Sequence, residues 1–326
     1  MGGLLATTLH AYRGQEDRLP DPGWVDVARR FVCRADIERA LHGDELASYL
    51  LAGAWNENAL GHPDEQLALA QRALETASPN SPIRASAARL TANALLVFDP
   101  ERGARLVDEV MMHAHRWPPH LRHRLLAARA DCHVMLGDYS EALAIYADAY
   151  GPQLHDWPAA LSLLLVIVGR HDDAKELLQN KVSGEYNYVQ LGCALVAAGE
   201  GEHDQALVHL RVAANRARVS AVQLMARDLL VTVAALALLR GDARRASRLL
   251  AVEHDSLGAA ALPRAPGRAP PTVGSPSSWA LYLHVRDRVR HILTRDERRD
   301  CIAQAASLTV DTALAAELGD AWPLER

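Results

Sequence analysis

A chain of 326 residues that is 49% hydrophobic can bury a large core, and with aromatics at 5% that core is built of Ala and Leu, which favours closely packed helices over sheets. The net charge of −5 and the absence of a basic face exclude direct nucleic-acid binding as its task. No apolar run is long enough to span a bilayer, no signal peptide is evident, and the four scattered cysteines (Cys33, Cys132, Cys193, Cys301) form no CxxC pair, so the chain is expected in the cytoplasm with free thiols.

In chain order, residues 1–20 read as an irregular polar tail. Asp21-Pro22-Gly23 starts a helix predicted over Trp24–Leu41, with Val27, Phe31, Ala35 and Leu41 on one face. Gly43-Asp44 opens a second helix to about Leu60, and Pro63-Asp64 a third to about Ala77. Ser78-Pro79-Asn80-Ser81-Pro82 is a break. Ile83–Phe98 with Pro100–His115 is then a helical hairpin. Four more follow: Leu121–Leu136 with Tyr139–Tyr150, Pro158–Val168 with Asp172–Lys181, Tyr186–Ala198 with Asp204–Ala217, and Ala221–Leu239 with Ala243–Glu253. Each of these four turns at a Gly with an Ala five residues on: Gly137/Ala142, Gly169/Ala174, Gly201/Ala206 and Gly241/Ala246. The glycines stand 32, 32 and 40 residues apart, a period that signals a solenoid of helix pairs.

The period and the order of small and large residues resemble tetratricopeptide repeats over roughly residues 83–253. A small residue lies seven before each turn Gly (Ala130, Ser162, Ala194, Ala234), another is the Ala after it, and a bulky one follows four later (Tyr146, Leu178, Leu210, Leu250). In the hairpin around Asp99, that residue takes the place of Asp138 and Gly103 that of Ala142. The later small position holds at Ala149 and Ala213 but departs at Lys181 and Glu253. The resemblance implies an all-α, right-handed superhelix of about six hairpins over residues 21–257. Residues 258–278, rich in Pro and Gly, read as a linker, and 279–326 as a C-terminal helical cap. The cap comprises a helix over Trp279–Leu293, a capping-box start at Thr294-Arg295-Asp296-Glu297 leading to Ala306, and a final helix ending near Leu318.

The tail resembles, more diffusely, the end of the helical-repeat region in actinobacterial AfsR-like and large LuxR-type ATPase transcriptional regulators. The features are Ala246-Ser247-Arg248-Leu249-Leu250, the Pro/Gly-rich gap, an Arg-rich helix, a short acidic helix and Leu308-Thr309-Val310-Asp311. This sequence departs from those proteins in having no G-x-x-x-x-G-K-[ST] and no DNA-reading motif after Leu318. Hydrolysis of ATP and reading of DNA are therefore not expected of it.

No catalytic arrangement and no cofactor motif is found, so the chain is not expected to be an enzyme. His113, His115, His120 and His123 form the densest polar cluster. They read as solvated histidines at a turn, with a zinc site including Cys132 and His133 as the other reading. Asp172-Asp173 is expected to cap a second helix, as are Asp138, Asp204 and Asp242. Arg286, Arg288, Arg290 and Arg295, interleaved with acids, are expected on a solvated face. The first helix of each tetratricopeptide pair lines the concave groove. Carrying that register over puts Arg124, Asp131, Tyr188 and Asp228 on the groove surface and Leu163, Val166, Leu195 and Val231 on its floor. A groove of both charges and apolar patches suits a peptide, a protein partner or a small effector. The expectation is therefore a non-catalytic binding or sensor module of a regulator. The alternatives are an enzyme or accessory protein of secondary metabolism with an α-helical cavity, and an assembly scaffold.

Overall fold

The computed structural model describes residues 34–60, 62–150, 158–179, 187–220, 223–258 and 276–322. Among them the regular structure is entirely helical, with no strand. The chain divides into two compact units, residues 1–153 and 154–326.

The first unit contains α1 (Ala35–Ala40), α2 (Gly43–Leu60), α3 (Pro63–Thr76), α4 (Pro82–Phe98), α5 (Pro100–Met111), α6 (Pro119–Leu136) and α7 (Tyr139–Tyr150). Helices α2 and α3, α4 and α5, and α6 and α7 pack as neighbours in sequence, and the first helices also stack, α2 on α4 and α4 on α6. Helix α4 is the hub. Its Ala87 and Leu90 join Leu50, Ala54, Ala70 and Ala73, while its Ala85, Ala88 and Ala92 join Val107, Val110, Leu125 and Ala128. A helix buried on two faces this way must be small-sided, which is why Ala dominates it. The predicted helix Trp24–Leu41 is corrected at its end: Arg34 and Leu41 are extended, and among the described residues of that span Ala35–Ala40 are helical. The Arg34 N–H donates to the Tyr49 hydroxyl at 3.0 Å. Residues 24–33 lie outside the described residues.

The second unit contains α8 (Pro158–Ile167), α9 (His171–Gln179), α10 (Asn187–Gly199), α11 (His203–Ser220), α12 (Gln223–Leu239), α13 (Ala243–Gly258), α14 (Pro276–Ile292), α15 (Arg295–Ala305) and α16 (Val310–Leu318). The hairpins α8/α9, α10/α11 and α12/α13 stack through their first helices, α8 on α10 and α10 on α12. Helix α14 then packs on α8, α12 and α13. Helix α15 packs on α13, and α16 on α11, α12 and α13. The last three residues of the expected linker, Pro276–Ser278, are the first turn of α14, and Ser277 and Ser278 are buried there.

The four glycine turns share one geometry. Gly137, Gly169, Gly201 and Gly241 have φ between 79° and 83°, a left-handed conformation that side chains with a Cβ resist. In each turn the Gly N–H bonds the carbonyl three residues back and the next N–H reaches five back, as in Gly137 to Val134 and Asp138 to His133 at 3.1 and 2.9 Å. This pairing closes the first helix and aims the chain into the second. The turn between α4 and α5 does without a left-handed residue. Asp99, at φ −158°, ends α4 and begins α5, and its Oδ1 accepts the Arg102 N–H at 3.0 Å.

Close approach of the paired helices follows from the small positions. Ala130, Ser162, Ala194 and Ala234, and Ala142, Ala174, Ala206 and Ala246, are all 0% exposed. Gly103, their counterpart in α5, is more demanding: a Cβ there would sit 2.9 Å from the Cys132 Sγ. The expected capping box at Thr294 and Glu297 is present in both directions. Asp242 caps α13 by accepting the Arg245 N–H at 2.9 Å. Asp172, Asp173 and Asp204 lie inside the first turns of α9 and α11, because Arg170 and Glu202 hold the position directly after the Gly. Their charge complements the helix dipole from there, and Asp173 also pairs with Arg170.

Candidate functional site

The first helices of the first unit bring together a group of polar and aromatic side chains. Asp131 on α6 follows the small residue Ala130 and is 4% exposed. The Tyr146 hydroxyl, from α7, donates to its Oδ1. Burial pushes the Asp131 carboxyl up to about 7, against the opposing pull of the Tyr146 hydrogen bond and the positive charge of Arg89 on α4. Arg89 in turn lies over the Trp55 ring of α2, 4.7 Å from its centroid. Asn93, one turn beyond Arg89 on α4, holds a buried Oδ1 with no hydrogen-bond partner. Arg124 is half-buried, two turns before Asp131 on α6 and so on the same side of that helix. Charge, a stacked guanidinium and an unengaged amide oxygen thus span α2, α4 and α6.

Of the residues expected from sequence, Arg124 and Asp131 belong to this group. Trp55, Arg89, Asn93 and Tyr146 were missed as contributors. Asp99 and Gly103 match Asp138 and Ala142, but the groove positions are carried over only onto the hairpins with a glycine turn, so the expectation does not reach α4 and α2. Tyr146, the bulky residue of its hairpin, is buried, and its hydroxyl adds the bond to Asp131.

The expected groove residues of the second unit have a different setting. Leu163, Leu195, Asp228 and Val231 are buried, so Asp228 does not lie on an exposed surface, and Val166 is half-buried. Helix α14 packs on α8 and α12, the helices that carry Leu163, Val166, Asp228 and Val231. Tyr188 falls in α10, with its side chain outside the described residues.

The other candidates resolve more simply. His113, His115 and His120 are exposed, and among the described residues no group of three or more His, Cys, Asp or Glu is placed to hold a metal ion. Cys132 and Cys301 are buried and Cys193 half-buried, all three as free thiols. Burial pushes the Cys132 and Cys193 thiols up, away from the reactive thiolate. Arg288, Arg290 and Arg295 are exposed, and Asp287 pairs with Arg286 and Arg290 at 3.0 and 3.6 Å, as a solvated face requires. A cleft of about 290 Å³ opens between α3, α4 and α5, floored by Leu74, Thr91, Leu95 and Leu106 under exposed Arg102 and Glu109. None of the groove residues expected from sequence lines it. Among the described residues no helix is long and apolar enough to cross a membrane.

No protein-family model matches the chain, and no curated protein matches it.

Proposed function

We propose that the chain is a non-catalytic, tetratricopeptide-like binding or sensor module, related to the helical-repeat part of bacterial transcriptional regulators. Its first helices receive a peptide, a protein partner or a small effector. The supporting observation is the Trp55–Arg89–Asp131 group. The equivalents of Asp131 and Tyr146 in the next two hairpins are Leu163 with Leu178 and Leu195 with Leu210, which pack the same positions with hydrocarbon alone. A buried carboxyl is therefore unnecessary for the hairpin, and keeping one costs free energy that apolar packing avoids. Recognition is a use that offsets this cost. In a stack whose repeats touch mainly their neighbours, a ligand bridging α2, α4 and α6 also biases how those repeats pack.

The test starts from an immobilised library of short peptides probed with the full chain. Peptides retained by the wild type are then titrated against Arg89→Ala and Arg124→Ala. The reading expects each variant to weaken binding by about tenfold or more, roughly 1.4 kcal/mol, while both variants stay folded by circular dichroism. Unchanged affinity in both variants sinks it.

A further inference from the structure

The cleft between α3, α4 and α5 shares no lining residue with the Trp55–Arg89–Asp131 group. Helices α3 and α5 each pack on α4 across a short connection, so both run antiparallel to it and parallel to each other. The Arg84 Nη1, at the start of α4, donates to the Leu74 carbonyl near the end of α3 at 2.9 Å, and Ala85 clusters with Val110 near the end of α5. Glu75 and Glu109 therefore stand at one end of the cleft, toward the start of α4, and Arg102 stands at the other. On α5 the lining residues Arg102, Leu106 and Glu109 share one face. Seven residues at about 1.5 Å each put Arg102 about 10 Å along the axis from Glu109.

The floor between these charges is apolar. Leu95 and Thr91 are buried, Leu74 and Leu106 are half-buried, and the Thr91 hydroxyl gives its proton to the Ala87 carbonyl at 2.9 Å. The rim is unengaged: among the described residues the side chains of Arg102, Glu75 and Glu109 form no ion pair, although they line one cleft of about 290 Å³. Gln71, one turn before Glu75 on α3, is half-buried, and its amide has no hydrogen-bond partner among the described residues.

We infer that this cleft binds a short free peptide, about three residues long, with an apolar side chain at its centre. An extended chain advances about 3.3–3.6 Å per residue, so three residues match the roughly 10 Å between the charged ends. The peptide's ammonium lies between Glu75 and Glu109, and its carboxylate lies on Arg102, whose planar guanidinium suits a two-oxygen acceptor. The central side chain rests on Leu74, Leu95 and Leu106, and the Gln71 amide both donates to and accepts from a peptide group. Ends of opposite sign fix the direction of the peptide. A single amino acid, with both charges on one carbon, does not span them, and a loop of a folded partner brings no free termini. This site goes beyond the α2, α4 and α6 group, and neither depends on the other.

The full chain is titrated by calorimetry with glycyl-leucyl-glycine and with the same peptide acetylated and amidated. The expected result is saturable binding of the free peptide and at least a tenfold loss when both ends are blocked. Arg102→Ala and Glu109→Gln, both at exposed positions, should each weaken binding about fivefold, the scale of a partly exposed charge pair. No saturable binding of the free peptide overturns the proposal. Equal binding of the blocked peptide, the mark of a partner's loop, overturns it too. So does binding that Arg89→Ala abolishes while Arg102→Ala and Glu109→Gln leave it intact, because the peptide then sits on α2, α4 and α6. Unchanged affinity of the library peptides in Arg89→Ala and Arg124→Ala would strike only the reading of those helices and leave these outcomes unmoved.

Discussion

Asp131 and Tyr146 in the first unit stand where Leu195 and Leu210 stand in the second, and both pairs are buried at the same points of a hairpin. The hairpin geometry is thus set by the small residues, Ala130 with Ala142 and Ala194 with Ala206, all 0% exposed, while the larger pair is free to be polar or apolar. The two choices predict different responses to damage. Leu210→Ala removes apolar packing with no polar compensation and should cost about 2–5 kcal/mol, read from urea unfolding. A loss near zero would mean that the wedge position is not part of the core.

The polar pair should give the first unit a pH response that the leucine pair cannot. The Asp131 carboxyl, pushed up to about 7 by burial, holds its proton more tightly folded than unfolded. Below its ordinary value, near 4, both states are protonated and the contribution to stability is complete. Between roughly pH 4 and 7 the unfolded chain has released the proton and the folded one has not, so stability falls as pH rises. Above about 7 that contribution is gone. The first unit should therefore melt lower at pH 8 than at pH 5, by an amount on the order of a few kcal/mol, and Asp131→Asn should flatten the difference. An equal slope in wild type and Asp131→Asn would remove Asp131 as its source.

Converting one pair into the other sharpens the same contrast. Tyr146→Phe keeps the ring and removes the donor to Asp131, so it should cost about 1–3 kcal/mol at neutral pH. Asp131→Leu combined with Tyr146→Leu gives the first unit the pair of the second and should cost less than the sum of the two single changes, a coupling read in a double-mutant cycle. Strict additivity would mean that the two side chains act independently, despite their hydrogen bond.

How far the fold was legible from sequence follows the same divide. The hairpins with a glycine turn could be read because two independent constraints coincide: a left-handed turn at Gly137, Gly169, Gly201 or Gly241, and a small residue fixed five positions later. The α3 helix opens at Pro63 and the α4/α5 turn is made by Asp99, without a left-handed glycine at either residue, so the groove register was carried only onto the later hairpins. That is why Trp55, Arg89 and Asn93 escaped the sequence reading although Asp131 did not. In the second unit Leu163, Leu195, Asp228 and Val231 are buried, and α14 returns from more than a hundred residues away to pack on α8 and α12. Local periodicity carries no signal for such a contact, and Pro276-Ser277-Ser278 resembles the linker before it more than a buried helical turn.

The turns offer the finest version of the comparison, because each kind solves the same problem with a different residue. At Gly241, with φ 79°, an Ala must carry its Cβ into the left-handed region, so Gly241→Ala should cost about 1–2 kcal/mol. At Asp99 the backbone is extended and the side chain does the work, accepting the Arg102 N–H at 3.0 Å. Asp99→Ala should then cost about 1 kcal/mol, since it leaves an N-terminal amide of α5 without its acceptor, whereas Asp99→Gly should cost only a few tenths, because water reaches the bared amide more readily beside Gly. Urea unfolding of the three variants at pH 7 gives the order. Should Asp99→Gly prove as damaging as Asp99→Ala, the aspartate would be held for something other than the cap, and the α4/α5 turn would no longer be a substitute for the glycine turns of the second unit.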